Sequence, residues 1–180
     1  FDVERRRVSV LLDKGEGRLL VVKGAPDEII GLCKSYEEQG NTARTPLDKA
    51  ALAKIHAVQA DLEKEGFRVL GIAWREVSVE HAHAMVGDET ELVFAGFAAF
   101  LDPPKESAGA ALAALTKSGI SVKIVTGDSE LVTQHVCGQL NIPVIGVLTG
   151  KEMAVMDDTA LRARVEKANL FCRVNPAQKE

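Results

Sequence analysis

The sequence has 180 residues, of which 46% are hydrophobic and 4% aromatic, and its formal net charge is −4. This composition allows a buried core in one or two domains, while the negative charge and the few aromatic residues argue against a nucleic-acid partner. The longest uncharged apolar run, residues 92–101, is about half as long as a membrane-spanning helix requires, so we expect no direct membrane insertion.

Residues 1–101 mix hairpin and helix patterns, which indicates an α+β domain. Two β-rich runs flank a polar loop with glycines and predict a β-hairpin. Apolar residues at helical spacing predict a long helix further on, with one buried face made by Leu47, Ala51, Leu52, Ile55, Val58 and Leu62. The predicted elements are a hairpin over 7–12 and 18–22, a helix from Pro26, a loop over 36–45, a helix over 47–64, and strands over 67–74 and 92–101.

Two cations stand out in this part of the chain. Lys23 follows the second strand and precedes Gly24, whose lack of a side chain permits close approach. A surface lysine is the simpler interpretation of Lys23. Arg68 is the charged member of an apolar strand, so it either points to solvent by alternation or faces an anion.

The clearest boundary is Asp102-Pro103-Pro104-Lys105. A proline pushes the residue before it out of the helical region, and two prolines stiffen the connection. We therefore predict two domains, 1–101 and 102–180.

After the prolines, strands alternate with helices, which predicts a parallel sheet with crossover connections. The predicted elements are helices over 106–118 and 159–167 and from Glu130, a buried strand over 120–125, and strands over 143–148 and 169–173.

Thr126-Gly127-Asp128 lies between the strand 120–125 and the helix that begins at Glu130, and Ser129 or Asp128 can cap that helix. A hydroxyl at the carboxyl end of a strand, next to the positive end of a helix, suits an anion. An ordinary strand–turn–helix connection is the alternative.

Five motifs occur together in one order. They are Phe-Asp-Val-Glu-Arg-Arg at 1–6, Lys-Gly-Ala-Pro at 23–26, Asp-Pro-Pro-Lys at 102–105, Thr-Gly-Asp at 126–128 and Arg-Val-Asn-Pro-Ala-Gln-Lys at 173–179. In this order they resemble the cytoplasmic head of the P-type cation-transporting ATPases. The residues in and around the motifs are most similar to those of the bacterial magnesium-transporting branch. The resemblance implies an α+β nucleotide-binding (N) domain over 1–101, truncated at its N-terminus. It also implies part of an α/β, Rossmann-like phosphorylation (P) domain of the haloacid-dehalogenase type over 102–180.

The resemblance also assigns residues to ATP. It implies that Phe1 stacks on adenine and that Lys23 and Gly24 line the nucleotide pocket. Arg68 would reach the phosphates, and Arg173 would lie near the ribose.

A second group is implied for phosphoryl transfer. Thr126 and Gly127 match the loop that hydrogen-bonds the transferred phosphoryl group, and Asp128 belongs to the same loop. Lys179 matches the lysine that neutralises phosphoryl charge, and Asp102, Pro103, Pro104 and Lys105 match the hinge.

Two family motifs are absent from the 180 residues, namely Asp-Lys-Thr-Gly-Thr and Gly-Asp-Gly-x-Asn-Asp. We therefore expect the phosphorylated aspartate and the Mg²⁺-binding carboxylates to lie elsewhere in a longer pump, together with its actuator and transmembrane domains. This chain would bind ATP as Mg-ATP at the cytoplasmic face of the membrane, without turnover and without a metal site of its own. The alternatives are a soluble haloacid-dehalogenase-like phosphatase, a pump for calcium or protons, and a non-catalytic nucleotide-binding module.

Overall fold

A computed structural model describes residues 5–15, 17–38, 43–80 and 82–179. Phe1, which was assigned to adenine, lies outside the described residues. Contacts divide the chain into two units, residues 1–61 with 69–100, and residues 62–68 with 101–180. The limits of the N and P domains stay a prediction.

The first unit is built on a mixed sheet. The strands among the described residues are β1 (Arg7–Lys14), β2 (Gly17–Gly24), β3 (Cys33–Glu37), β4 (Arg44–Pro46), β5 (Phe67–Val77) and β6 (Leu92–Leu101). The helices are α1 (Pro26–Gly31) and α2 (Lys49–Lys64). The strand order is β1-β2-β5-β6-β3-β4, in which β2 is antiparallel to β1 and β5, β4 is antiparallel to β3, and β3 is parallel to β6. Residues 62–68, which end α2 and begin β5, are counted with the second unit.

The core of the first unit lies between one face of the sheet and the two helices. Alternate residues of the strands point to this face, because successive side chains of a strand lie on opposite sides of the sheet. The buried set is Leu20, Val22, Ile29, Ile30, Ala73, Leu92 and Phe94, with Leu52 and Ile55 of α2 packed against it.

The hairpin and the helix α2 confirm the sequence patterns, but two details were wrong. The predicted loop over 36–45 contains the end of β3 and the start of β4. On α2, Val58 is 54% exposed, whereas Gln59 and Glu63 are buried. The inward-facing positions of α2 repeat every four residues, at Ala51, Ile55, Gln59 and Glu63. Because four residues exceed one turn of 3.6, this face rotates around the helix and does not include Val58.

An aromatic–cation cluster joins four strands of this sheet. Trp74 on β5 has the guanidinium carbon of Arg44 at 4.9 Å and the ammonium of Lys14 at 5.9 Å from its ring centroid. Its indole N–H donates to a carboxylate oxygen of Glu37 at 3.4 Å. Such contacts attract a cation to the negative face of the ring.

The second unit is an alternation of helices and short strands. The elements among its described residues are α3 (Glu106–Lys117), β7 (Ile124–Val125), α4 (Glu130–Gln139), β8 (Val147–Thr149), α5 (Gly150–Ala154), α6 (Asp158–Lys167), β9 (Leu170–Cys172) and a 3₁₀ turn (Pro176–Lys179). The strand order is β7-β9-β8, and both pairs are parallel, which confirms the parallel sheet.

The strands of the second unit are shorter than predicted. The buried strand expected over 120–125 was wrong, since β7 has two residues and Val125 is 47% exposed. β7 is an outer strand of this sheet, so it has a neighbour on one side only among the described residues. β8 begins at Val147 because Asn169 bonds the preceding segment, accepting from the amide of Ile145 at 2.9 Å and donating to the carbonyl of Pro143 at 2.7 Å.

Leu20→Ala should lower the free energy of unfolding of the first unit by about 2–5 kcal/mol, because it leaves a cavity in the core. Leu20 is fully buried on β2, whereas Leu12, its matched control on the other strand of the hairpin, is 49% exposed. Leu12→Ala should cost about 1 kcal/mol or less. Urea unfolding followed by circular dichroism measures the free energy of unfolding of both variants. Equal losses would contradict the burial of Leu20 in the core.

Candidate functional site

The turn after β7 is tied to the segment after β9. The amide of Thr126 donates to the carbonyl of Phe171 at 2.9 Å, and the carbonyl of Thr126 accepts from the amide of Val174 at 2.9 Å. The amide of Arg173 donates to the carbonyl of Asp128 at 2.9 Å. The parallel sheet therefore brings two of the predicted motifs to one edge, at the carboxyl ends of its strands.

Within the turn, Thr126 and Asp128 bond each other. The hydroxyl of Thr126 donates to a carboxylate oxygen of Asp128 and accepts from its amide, both at 3.1 Å. Ser129 caps α4 by accepting from the amide of Val132 at 3.4 Å, as one of the two predicted caps. The hydroxyl is thus oriented by its own loop, at the end of a helix that carries partial positive charge.

Gly127 is exposed, and packing does not require it to be glycine. A Cβ atom there would lie 3.6 Å from the carbonyl of Val174, an ordinary contact distance. Its φ lies outside the left-handed range that favours glycine. The missing side chain keeps the surface of the turn open.

Arg68 bridges two carboxylates of its own unit. One guanidinium nitrogen lies 3.0 Å from Asp102, and the other lies 3.1 Å from Asp128. Half of the Arg68 side chain is exposed. Both sequence alternatives for Arg68 therefore hold, since it is exposed and the anions it meets are carboxylates of the protein. Exposed ion pairs contribute about 0–1 kcal/mol each, so another anion can replace these carboxylates at small cost.

Arg173 follows β9 in the left-handed conformation, with φ of 51°. Its Nε donates to Glu130, in the first turn of α4, at 3.0 Å. This places the guanidinium group beside the same turn that Thr126 and Asp128 form. Arg68, Asp102, Thr126, Asp128 and Arg173 are thereby connected by direct contacts.

Lys179 ends a 3₁₀ turn that is fixed by an amide side chain. Gln178 and Asn175 exchange two hydrogen bonds, at 3.1 and 2.9 Å, and Gln178 donates to the carbonyl of Gly150 at 2.8 Å. Lys179 itself is exposed.

Gly150, the first residue of α5, leaves no room for a side chain. A Cβ atom would lie 2.4 Å from the carbonyl oxygen of Arg173. Neither Gly150 nor α5 was predicted from the sequence. The signal was present, because Thr149 and Glu152 form a capping box that marks a helix start.

Of the residues predicted to form a hinge, Asp102 contacts Arg68, whereas Lys105 precedes α3 with extended backbone. Pro103 and Lys105 are exposed, and Pro104 is half-buried.

The first unit carries Lys23 and Gly24 at the end of β2. Lys23 is exposed and pairs in register with Val8 and Ile72. The space beside Gly24 is occupied by the chain itself, because a Cβ atom there would lie 2.5 Å from the carbonyl oxygen of Arg6. The group that approaches Gly24 closely is therefore the carbonyl of Arg6.

A buried carboxylate that was not predicted from the sequence holds the start of β1. Glu89 accepts from Arg5 at 2.7 Å, Arg7 at 2.6 Å and Ser9 at 2.9 Å. Burial raises the pKa of the Glu89 carboxyl group, but the hydrogen bonds from Arg7, Ser9 and Arg5 outweigh it, so the pKa lies below its ordinary value. The group is therefore ionised at neutral pH.

The cysteines offer no activated nucleophile. Burial raises the pKa of Cys33 to about 12 and that of Cys172 to about 11, and it also raises the pKa of Cys137. Thiols with raised pKa values stay protonated and unreactive at neutral pH.

No helix in the described part of the chain is both long and apolar enough to cross a bilayer.

Residues 1–107 match the family model described as P-type ATPase, cytoplasmic domain N. The chain therefore belongs to the P-type ATPase family, as its motifs indicated.

Magnesium-transporting ATPase, P-type 1, of Escherichia coli (strain K12) is 39% identical over an alignment of 181 residues that covers 100% of this chain and 20% of that protein. The protein of the same name from Salmonella typhimurium (strain LT2) is 40% identical over an alignment of 183 residues that covers 99% of this chain and 20% of that protein. Calcium-transporting ATPase 1 of Lactococcus lactis is 30% identical over an alignment of 182 residues that covers 99% of this chain and 20% of that protein. The chain thus spans about a fifth of the length of these relatives.

Gly150→Ala should destabilise the second unit by about 1–3 kcal/mol, because the added methyl group overlaps the carbonyl of Arg173. Gly138→Ala in α4 is the matched control. A Cβ atom there meets nothing within 4 Å, and alanine favours the helix, so the variant should be as stable as the parent or slightly more so. Thermal unfolding of both variants is the measurement. Equal midpoints would show that the contact between Gly150 and Arg173 is absent in solution.

Proposed function

We propose that this chain is the ATP-binding part of a pump that couples ATP hydrolysis, through an aspartyl-phosphate intermediate, to cation transport. The observation that carries the proposal is the family match over residues 1–107. The cluster of Thr126, Asp128, Arg68 and Arg173 supports it, because phosphoryl transfer depends mainly on positioning and on stabilisation of charge.

The proposed nucleotide contacts follow the roles that the family motifs assign. Phe1 stacks on adenine, and Lys23 with Gly24 lines the pocket. Arg68 binds the phosphates, and Arg173 lies near the ribose. Exposure of the Lys23 side chain and the weak, exchangeable ion pairs of Arg68 are consistent with these roles.

The phosphoryl group is proposed to bind at the turn after β7. Thr126 donates its hydroxyl proton to it in place of the Asp128 carboxylate, while the amide of Asp128 keeps its bond to the hydroxyl oxygen. Gly127 donates a second hydrogen bond, and Lys179 offsets the charge. Asp102, Pro103, Pro104 and Lys105 form the hinge. The parallel order β7-β9-β8, with this turn at the carboxyl ends of the strands, is consistent with part of a haloacid-dehalogenase-like P domain.

Magnesium enters this proposal only as Mg-ATP. No group of three His, Cys, Asp or Glu side chains that could hold a metal ion occurs within residues 5–15, 17–38, 43–80 and 82–179.

Magnesium is also the ion that we propose for transport, because the relatives at 39–40% identity are named magnesium-transporting. Calcium is the second candidate, since a relative at 30% identity is named calcium-transporting. The chain would work at the cytoplasmic face of the membrane, with the actuator and transmembrane domains of the pump as its partners.

Lys23→Gln should weaken ATP binding about tenfold, because it removes a positive charge from the pocket while leaving the fold intact. Isothermal titration calorimetry with ATP measures this loss. Lys54→Gln is the matched control, since Lys54 is an exposed lysine on α2 of the same unit. Identical affinities for the parent and Lys23→Gln would remove Lys23 from the site.

The chain should not become phosphorylated on incubation with γ-labelled ATP and Mg²⁺. An aspartyl phosphate needs a carboxylate nucleophile, and the Asp-Lys-Thr-Gly-Thr motif is not among the 180 residues. Label that survives acid but is released by hydroxylamine would contradict this expectation. In a longer protein that includes the motif, the same assay should be positive, and Thr126→Ala should reduce the label.

A further inference from the structure

Glu89 is a buried carboxylate that binds the start of β1 from a loop far along the chain. Its side chain is 1% exposed, yet it accepts hydrogen bonds from Arg5 and Arg7, which lie 84 and 82 positions away in sequence. The hydroxyl of Ser9 adds a third bond. A buried charge is stable only when it is paired and hydrogen-bonded, and these three donors satisfy that condition.

The loop that carries Glu89 is itself anchored to the sheet. The guanidinium group of Arg75 on β5 donates to the carbonyl of Asp88 at 3.3 Å and to that of Thr90 at 3.1 Å. These two carbonyls flank Glu89, so its carboxylate is held at a fixed point relative to β5.

Arg6 differs from the arginines on either side of it. It is exposed, and its φ is 53°, a left-handed conformation that residues other than glycine rarely adopt. Such a conformation persists only where the surrounding structure imposes it. The two ion pairs of Arg5 and Arg7 with Glu89 fix the chain on both sides of Arg6 and so supply that constraint.

The left-handed turn directs the carbonyl of Arg6 onto the Gly24–Ala25 turn. This oxygen accepts from the amide of Ala25 at 3.0 Å, in the space that a side chain at position 24 would fill. The hydrogen bond fixes the backbone directly after Lys23. A continuous path of contacts therefore runs from Glu89 through Arg6 to the end of β2.

We propose that Glu89 is a positioning residue for the nucleotide pocket. It does not touch the nucleotide, but it holds the Arg6 carbonyl against Gly24 and Ala25 and thereby sets the position of Lys23. This inference rests on the proposed binding of ATP at Lys23. None of the residues that Glu89 bonds belongs to the buried core cluster of the first unit.

The test compares Glu89→Gln with Glu91→Gln. Glu91 lies on the same loop and pairs with Lys34 of β3, but it is exposed, so it controls for loss of one negative charge. The measurements are the Kd for ATP by calorimetry, the hydrogen-exchange rate of the Ala25 amide by NMR, and the thermal midpoint. Glu89→Gln should raise the Kd at least fivefold and speed exchange at Ala25, while the Val22 amide stays protected. Glu91→Gln should change neither quantity.

A lower thermal midpoint with unchanged Kd and unchanged exchange at Ala25 would overturn the proposal, because Glu89 would then serve stability alone. If Glu89→Gln does not fold, Ser9→Ala keeps both ion pairs and removes one hydrogen bond. It should shift the Kd and the exchange rate in the same direction by a smaller factor, and no shift in either would overturn the proposal. If the unsubstituted chain does not bind ATP, the proposed function is refuted, whereas exchange at Ala25 still decides whether Glu89 holds the turn.

Discussion

Parallel pairing of β9 with both β7 and β8 is the constraint on which the second unit depends. Because β9 lies between the other two, the carboxyl ends of all three strands reach one edge of the sheet. The turn at Thr126 and the segment that begins at Arg173 then share backbone hydrogen bonds, although they are far apart in sequence. The same edge holds Gly150, whose missing side chain lets that segment pass close to α5. Backbone hydrogen bonds thus set the positions from which the side chains at this edge extend.

The two units use charge in opposite ways. Glu89 is buried and fully bonded, so its contacts with Arg5 and Arg7 are costly to break and serve to fix the backbone. Arg68 is exposed, and its contacts with Asp102 and Asp128 are cheap to exchange. A rigid ion pair suits the positioning role proposed for Glu89. Weak ion pairs suit the role proposed for Arg68, which would exchange its carboxylates for a phosphate.

Much of the fold could be predicted because its signals are local. Alternation along the hairpin, helical spacing in α2 and the repeated strand–helix order each depend on neighbouring residues. The capping box of α5 was equally local and was overlooked. Features that depend on distant residues could not be predicted in the same way. Nothing near Glu89 in the sequence indicates that Arg5 and Arg7 will bury it, and nothing near Pro143 indicates that Asn169 will bond that segment in place of a strand neighbour.

The family motifs identified candidate residues at the site, but not their partners. Spacing alone could not show that Arg68 contacts Asp102 and Asp128, or that the carbonyl of Arg6 occupies the space beside Gly24. Both contacts depend on how elements that are separate in sequence pack together. The roles assigned to these residues from the motifs are therefore proposals, whereas their contacts are structural observations.

The placement of Trp74 has an optical consequence. The chain has one tryptophan and one tyrosine, Tyr36, and both belong to the first unit. Near-ultraviolet absorption and intrinsic emission therefore report almost entirely on that half of the molecule, and the cations beside the indole make its emission sensitive to local charge. Peptide-bond signals report on both halves. A difference between the two kinds of melting curve would thus separate independent unfolding of the units from a single cooperative transition.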